Sequence, residues 1–159
     1  MPDNPHIAMK TIVLIGRTGC GKTMLASRLA GVELDAKKTA GAVRVKNVID
    51  TPGGFAENRF LGGALSVFAY EAQVVGLIIA ADEPFSLYPP NIHGMLNREM
   101  IGIVTKTDIP AGSPQRAEGW LRLAGCKRVF HVSALTGQGI DEIMEYLKYG
   151  LKKRRNHTK

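Results

Sequence analysis

Residues 16–23, GRTGCGKT, join an apolar run, Thr11-Ile12-Val13-Leu14-Ile15, to a segment in which Leu25 and Leu29 recur at helical spacing. The octet fits G-x-x-x-x-G-K-[ST], a pattern that means little unless it links a strand to a helix, and here it does. Gly16, Gly19 and Gly21 allow the backbone to wrap closely. This predicts a loop whose N–H groups converge on phosphate oxygens, while the following helix points its positive end at the same place. The expected nucleotide-binding segment is Thr18, Gly19, Cys20, Gly21, Lys22, Thr23 and Met24. Lys22 is a catalytic candidate, placed on the β- and γ-phosphates, and Thr23 offers its hydroxyl to a Mg2+ ion that bridges them. Cys20 admits two readings: a thiol acidified by the helix N terminus and Lys22, or a small apolar residue tucked behind the loop.

Outward from this loop, apolar and β-branched runs alternate with segments of helical period, as expected of βα units wound around a mostly parallel sheet. Strands are predicted over 10–15, 47–50, 74–80, 100–105 and 128–132, and the near-continuous run VVGLIIA at 74–80 predicts a strand covered on both faces. Ser113-Pro114 predicts a helix start, with Ala117, Trp120 and Leu121 on its apolar face and Gly125 as its stop. A last helix is expected from about Gly139, with Ile140, Ile143, Met144, Leu147 and Leu151 as core positions. Pro89-Pro90 is read as opening a short helix before strand 100–105. The expected fold class is α/β, with helices, sheet and helices in three layers.

The bulk properties bound the rest. The chain of 159 residues has the length of one domain, and its 45% apolar and 22% charged content is that of a soluble globular protein. No apolar run approaches the roughly 18 residues of a bilayer span, and the N-terminal MPDNPHIAMK does not read as a secretory signal, so a cytoplasmic location is expected. Two cysteines, Cys20 and Cys126, predict neither a disulfide framework nor a zinc site, and the four histidines are scattered. The net charge of +7 is concentrated at one end: the last nine residues, LKKRRNHTK, hold five of the 21 basic side chains and none of the 14 acids. With no aromatic residue interleaved, that tail does not suggest nucleic acid as a partner. The expected organisation is an extension over 1–9, a domain over 10–151 and a basic tail over 152–159.

Three further motifs follow predicted strands. NVIDTPGG at 47–54 ends a strand in Asp50, a metal-ligand candidate, and Gly53 is a catalytic candidate through an N–H aimed at the γ-phosphate. TKTD at 105–108 brings Thr105, Lys106 and Asp108: the carboxylate can accept from the N1–H and exocyclic amine of guanine, and the lysine stem can cover the base. SAL at 133–135 brings Ser133, Ala134 and Leu135, with the Ala134 N–H facing guanine O6. All four motifs fall at the C-terminal ends of strands, where doubly wound sheets hold their ligands.

Together these motifs resemble those of the small P-loop GTPases over residues 10–150. The narrower likeness is to the EutP/PduV group, carried by KKTAGAV at 37–43, the short passage to IDTPG, and VTKTDIP at 104–110. The resemblance implies a P-loop NTPase fold, GTP or GDP with Mg2+ as ligands, and hydrolysis of GTP as a regulatory or assembly switch in a catabolic pathway associated with a bacterial microcompartment. It also implies alternatives: an ATP-dependent acetate kinase-type phosphotransferase, or a non-enzymatic microcompartment adaptor docked through the basic tail. A protein partner is expected at residues 31–63.

Departures from the pattern qualify the expectation. Only 28 positions separate Lys22 from Asp50, fewer than in Ras-like GTPases, so the β2–β3 region should be truncated to a stub or lost. Thr39 is the candidate switch threonine, counted with Thr23 and Asp50 as a metal ligand and with Lys22 and Gly53 as catalytic. Gly54 stands where Ras-like enzymes carry the glutamine that orients water, which predicts slow intrinsic hydrolysis. Residues 53–63 have the composition of a mobile switch, with Glu57 and Arg59 as charged candidates for the missing group. Thr105 replaces the asparagine of many GTPases, and its hydroxyl is expected still to tie strand to loop.

Overall fold

The computed structural model describes residues 9–34, 42–57 and 70–149. Six strands form one sheet: β1 (Ile12–Ile15), β2 (Val43–Val45), β3 (Val48–Asp50), β4 (Val74–Ala80), β5 (Glu99–Thr105) and β6 (Arg128–His131), in the order β2-β3-β1-β4-β5-β6. Every neighbouring pair is parallel except β2 and β3. The hairpin survives as the expected stub: three residues per strand, turned at Lys46, whose φ of 54° is left-handed.

The alternation of side chains along β1 divides the core. Ile12 and Leu14 pack with Leu25 and Leu29 of α1 (Lys22–Ala30) and with Ile143 and Leu147 of the last helix, whereas Val13 and Ile15 pack on the face that carries Ala117 and Leu121. Burial on both faces accounts for the unbroken apolar run of β4, buried at all seven positions. Because the chain leaves β1 for β3 on one side and later crosses to β4 on the other, the C-terminal end of β1 is a switch point, and the GRTGCGKT loop starts there.

Helix ends follow local chemistry. After the single turn α2 (Gly54–Glu57), α3 (Pro114–Leu123) begins at Ser113, whose hydroxyl accepts the Arg116 N–H, with proline at the first position. It stops where Gly125 N–H reaches the Arg122 carbonyl and Cys126 N–H the Leu121 carbonyl, a Schellman closure that uses the φ of 107° at Gly125. The last helix, α4 (Ile140–Tyr149), buries Ile140, Ile143 and Leu147 as expected. It also buries Tyr146, whose ring meets Phe130 edge-on at 5.5 Å.

The helix expected at Pro89-Pro90 is instead one 3-10 turn, Ile92–Met95. Asn91 enters it at a φ of 57°, and the Asn91 and His93 N–H groups bond to the Leu123 and Ala124 carbonyls, so docking on the end of α3 outweighs helix propagation. Thr39, most of the 31–63 partner segment's loops, Arg59, Leu151 and the tail over 152–159 lie outside the described residues, as do residues 1–8 of the extension. Among the described residues no helix is long and apolar enough to cross a membrane.

Candidate functional site

Gly21 enters α1 with a φ of 86°, a left-handed conformation that penalises any L side chain. The helix has no side-chain cap and no acid in its first turn, so its leading N–H groups lack an intrahelical acceptor and are available to an anion. In front of them lies a groove of about 580 Å³ lined by Arg17, Thr18, Gly19, Gly21, Lys22, Thr23, Met24 and Lys106, with Pro52, Gly53 and Gly54 opposite.

At its floor three motif residues converge. Lys22 Nζ donates to Asp50 Oδ1 at 2.7 Å and to the Thr51 carbonyl, and Thr23 Oγ1 donates to Asp50 Oδ2 at 2.9 Å. Lys22 and Asp50 are 6% and 2% exposed, so each charge depends on the other in a poorly solvated place. A buried carboxylate oxygen beside a hydroxyl oxygen is a donor set that fits a hard divalent cation such as Mg2+. The DTPG turn is pinned from below by Thr51 Oγ1, which donates to the Leu14 carbonyl at 2.7 Å. Gly53 is pressed on the loop so closely that a Cβ there would stand 2.5 Å from the Thr18 nitrogen. Glu57, at the end of α2, accepts the Thr18 N–H at 3.1 Å.

The groove continues past Gly21, Met24 and Lys106 into a pocket of about 230 Å³ closed by Thr105, Asp108, Ile109, Ala134 and Leu135. Asp108 Oδ1 accepts the Ser133 hydroxyl at 2.8 Å, which orients the carboxylate. Ser133 itself is fully buried, so the structure puts it behind Asp108 and not in the pocket lining. Thr105 Oγ1 donates to the Cys20 carbonyl at 2.7 Å, the tie between strand and loop that its hydroxyl was expected to make. Lys106, at a φ of 57°, sends its Nζ to the Gly19 carbonyl at 2.6 Å, so that its stem borders both cavities.

Of the two readings of Cys20, the acidified thiol is overturned. Its side chain lies beneath the loop, 2% exposed, and burial pushes the thiol up to about 12, with Glu83 adding to the rise and Lys22 offsetting only part of it.

Two supports escaped the sequence reading. Arg28 of α1 donates to the Ala134 and Leu135 carbonyls at 2.8 and 3.1 Å, clamping the SAL loop. Arg17 pairs with buried Glu83 at 3.0 Å, donates to the Phe85 carbonyl and stacks 4.4 Å over the Phe85 ring. Burial raises the Glu83 pKa above its ordinary value, against the pull of the Ala80 N–H and Arg17. The only prior signal was an acidic pair, Asp82-Glu83, directly after the apolar run of β4.

A groove over an uncapped helix at the switch point of a largely parallel sheet is a fold shared with the crystal structure of a probable GTP-binding protein engB, with a TM-score of 0.61 at 20% identity over 85% of this chain and 95% of that one. The chain belongs to the PduV-EutP family, described as ethanolamine utilisation - propanediol utilisation, whose model matches residues 9–149. It is 44% identical to the propanediol utilization protein PduV of Citrobacter freundii, covering 87% of this chain and 93% of that protein. It is 27% identical to the probable acetate kinase EutP of Escherichia coli (strain K12), covering 87% and 89%.

Proposed function

We propose that this chain binds guanine nucleotide with Mg2+ and hydrolyses GTP to GDP slowly, as a regulatory or assembly switch in a microcompartment-associated catabolic pathway. The supporting observation is one continuous groove lined by Lys22 and Thr23, both bonded to Asp50 beneath them, with Asp108, oriented by Ser133, at its far end. The pathway rests on the family and on the names of its members.

In this reading the N–H groups of the loop and Lys22 hold the phosphates, and Asp108 accepts the N1–H and amine of guanine while Ala134 donates to O6. Thr23 and Asp50, joined by Thr39, would hold Mg2+, which neutralises charge on the β- and γ-oxygens. Gly53 offers its N–H to the γ-phosphate. Gly54 has no side chain to orient water, so intrinsic turnover stays below about 1 per second. Residues 31–63 form the partner surface.

The acetate kinase reading, taken from the relative EutP, requires ATP. Adenine would turn its N1 lone pair toward the Asp108 carboxylate and leave that acceptor without a donor, which disfavours it. The test is Asp108→Asn. An asparagine amide donates to the O2 of xanthine where the carboxylate accepted from guanine, so GDP affinity should fall at least about a hundredfold while xanthosine diphosphate gains. Unchanged GDP affinity in the variant would refute the assignment.

A further inference from the structure

The end of the groove away from Asp108 is where the last phosphate of a nucleotide would lie. Thr18, Gly53 and Gly54 line that groove and are absent from the base pocket, whereas Gly21, Met24 and Lys106 line both. At this end the protein supplies its own oxygens to the donors. The Thr18 N–H is taken by Glu57 Oε1 at 3.1 Å, and Lys22 Nζ is held by Asp50 and the Thr51 carbonyl. Glu57 is held toward the loop by its own short element: Ala56, beside it on α2, is 3% exposed and its N–H bonds to the Gly53 carbonyl at 3.1 Å. Gly53 in turn lies flat against the Thr18 backbone.

We infer that Glu57 is a specificity-determining residue, which sets the balance between guanosine di- and triphosphate by holding a negatively charged oxygen on the Thr18 N–H, at the edge of the groove end where a third phosphate would lie. The inference rests on the proposed reading of the groove as a guanine-nucleotide site. A diphosphate, one phosphate shorter, need not compete for the Thr18 N–H. A triphosphate brings like charge against the carboxylate and has to replace it on that donor, so the hydrogen bond Glu57 gives up is subtracted from triphosphate affinity alone.

The test measures dissociation constants of GDP and of a GTP analogue with a non-hydrolysable β–γ bridge, with Mg2+, for the full chain and its Glu57→Ala and Glu57→Gln variants. Glu57→Ala should tighten the triphosphate analogue about tenfold while GDP stays within about twofold. Glu57→Gln keeps an accepting oxygen and loses the charge, so it should give a smaller shift in the same direction. Parallel shifts for both nucleotides, or weaker triphosphate binding in Glu57→Ala, would overturn the inference. A wild-type chain without guanine preference would instead overturn the reading of the groove, and this inference with it.

Discussion

At Thr105 a single side chain ties the end of β5 to the GRTGCGKT loop. Its hydroxyl is buried and its partner, the Cys20 carbonyl, sits within the GRTGCGKT loop. Valine has the same shape without the donor, so Thr105→Val should strand that carbonyl at a cost of about 1–3 kcal/mol. The expected outcome is a GDP affinity reduced about tenfold in a titration, with Thr105→Ser near wild type. Cys20, by contrast, follows the second of its two readings, a small residue tucked behind the loop, and loop position alone does not say which way a side chain points. A Cβ added at Gly16 would meet the Cys20 sulfur at 2.5 Å, which marks how firmly the thiol is turned inward.

At the scale of elements, α3 serves the fold and stands off the groove. Its start depends on the Ser113 hydroxyl and Pro114, its end on the Schellman closure at Gly125, and none of these lines either cavity. Ser113→Ala should therefore cost about 1 kcal/mol and lower the melting temperature by about 3 °C, read by a thermal scan, with GDP affinity unchanged. These ends were legible because serine, proline and glycine act within a turn of their own position. The 3-10 turn at Ile92–Met95 was not, since what stops it from extending is a pair of hydrogen bonds to carbonyls about thirty residues further on, at Leu123 and Ala124.

For the whole molecule the same distinction holds. The strands, and the placing of each motif at a strand's C-terminal end, followed from apolar runs and spacing, and β1 and β4 lie where those runs predicted. What could not be read were partners joined only by the fold: Arg17 with Glu83 across 66 positions, Arg28 with Ala134 across 106, and Ser133 turned onto Asp108. Each holds a motif residue or its loop in place, so the motifs named the chemistry while tertiary contacts orient it. The most direct test of the account is equilibrium titration of the wild-type chain with GDP, GTP, ADP and ATP in the presence of Mg2+. The account predicts guanine nucleotides bound at least about a hundredfold more tightly than adenine nucleotides. Equal or tighter binding of ATP would contradict it.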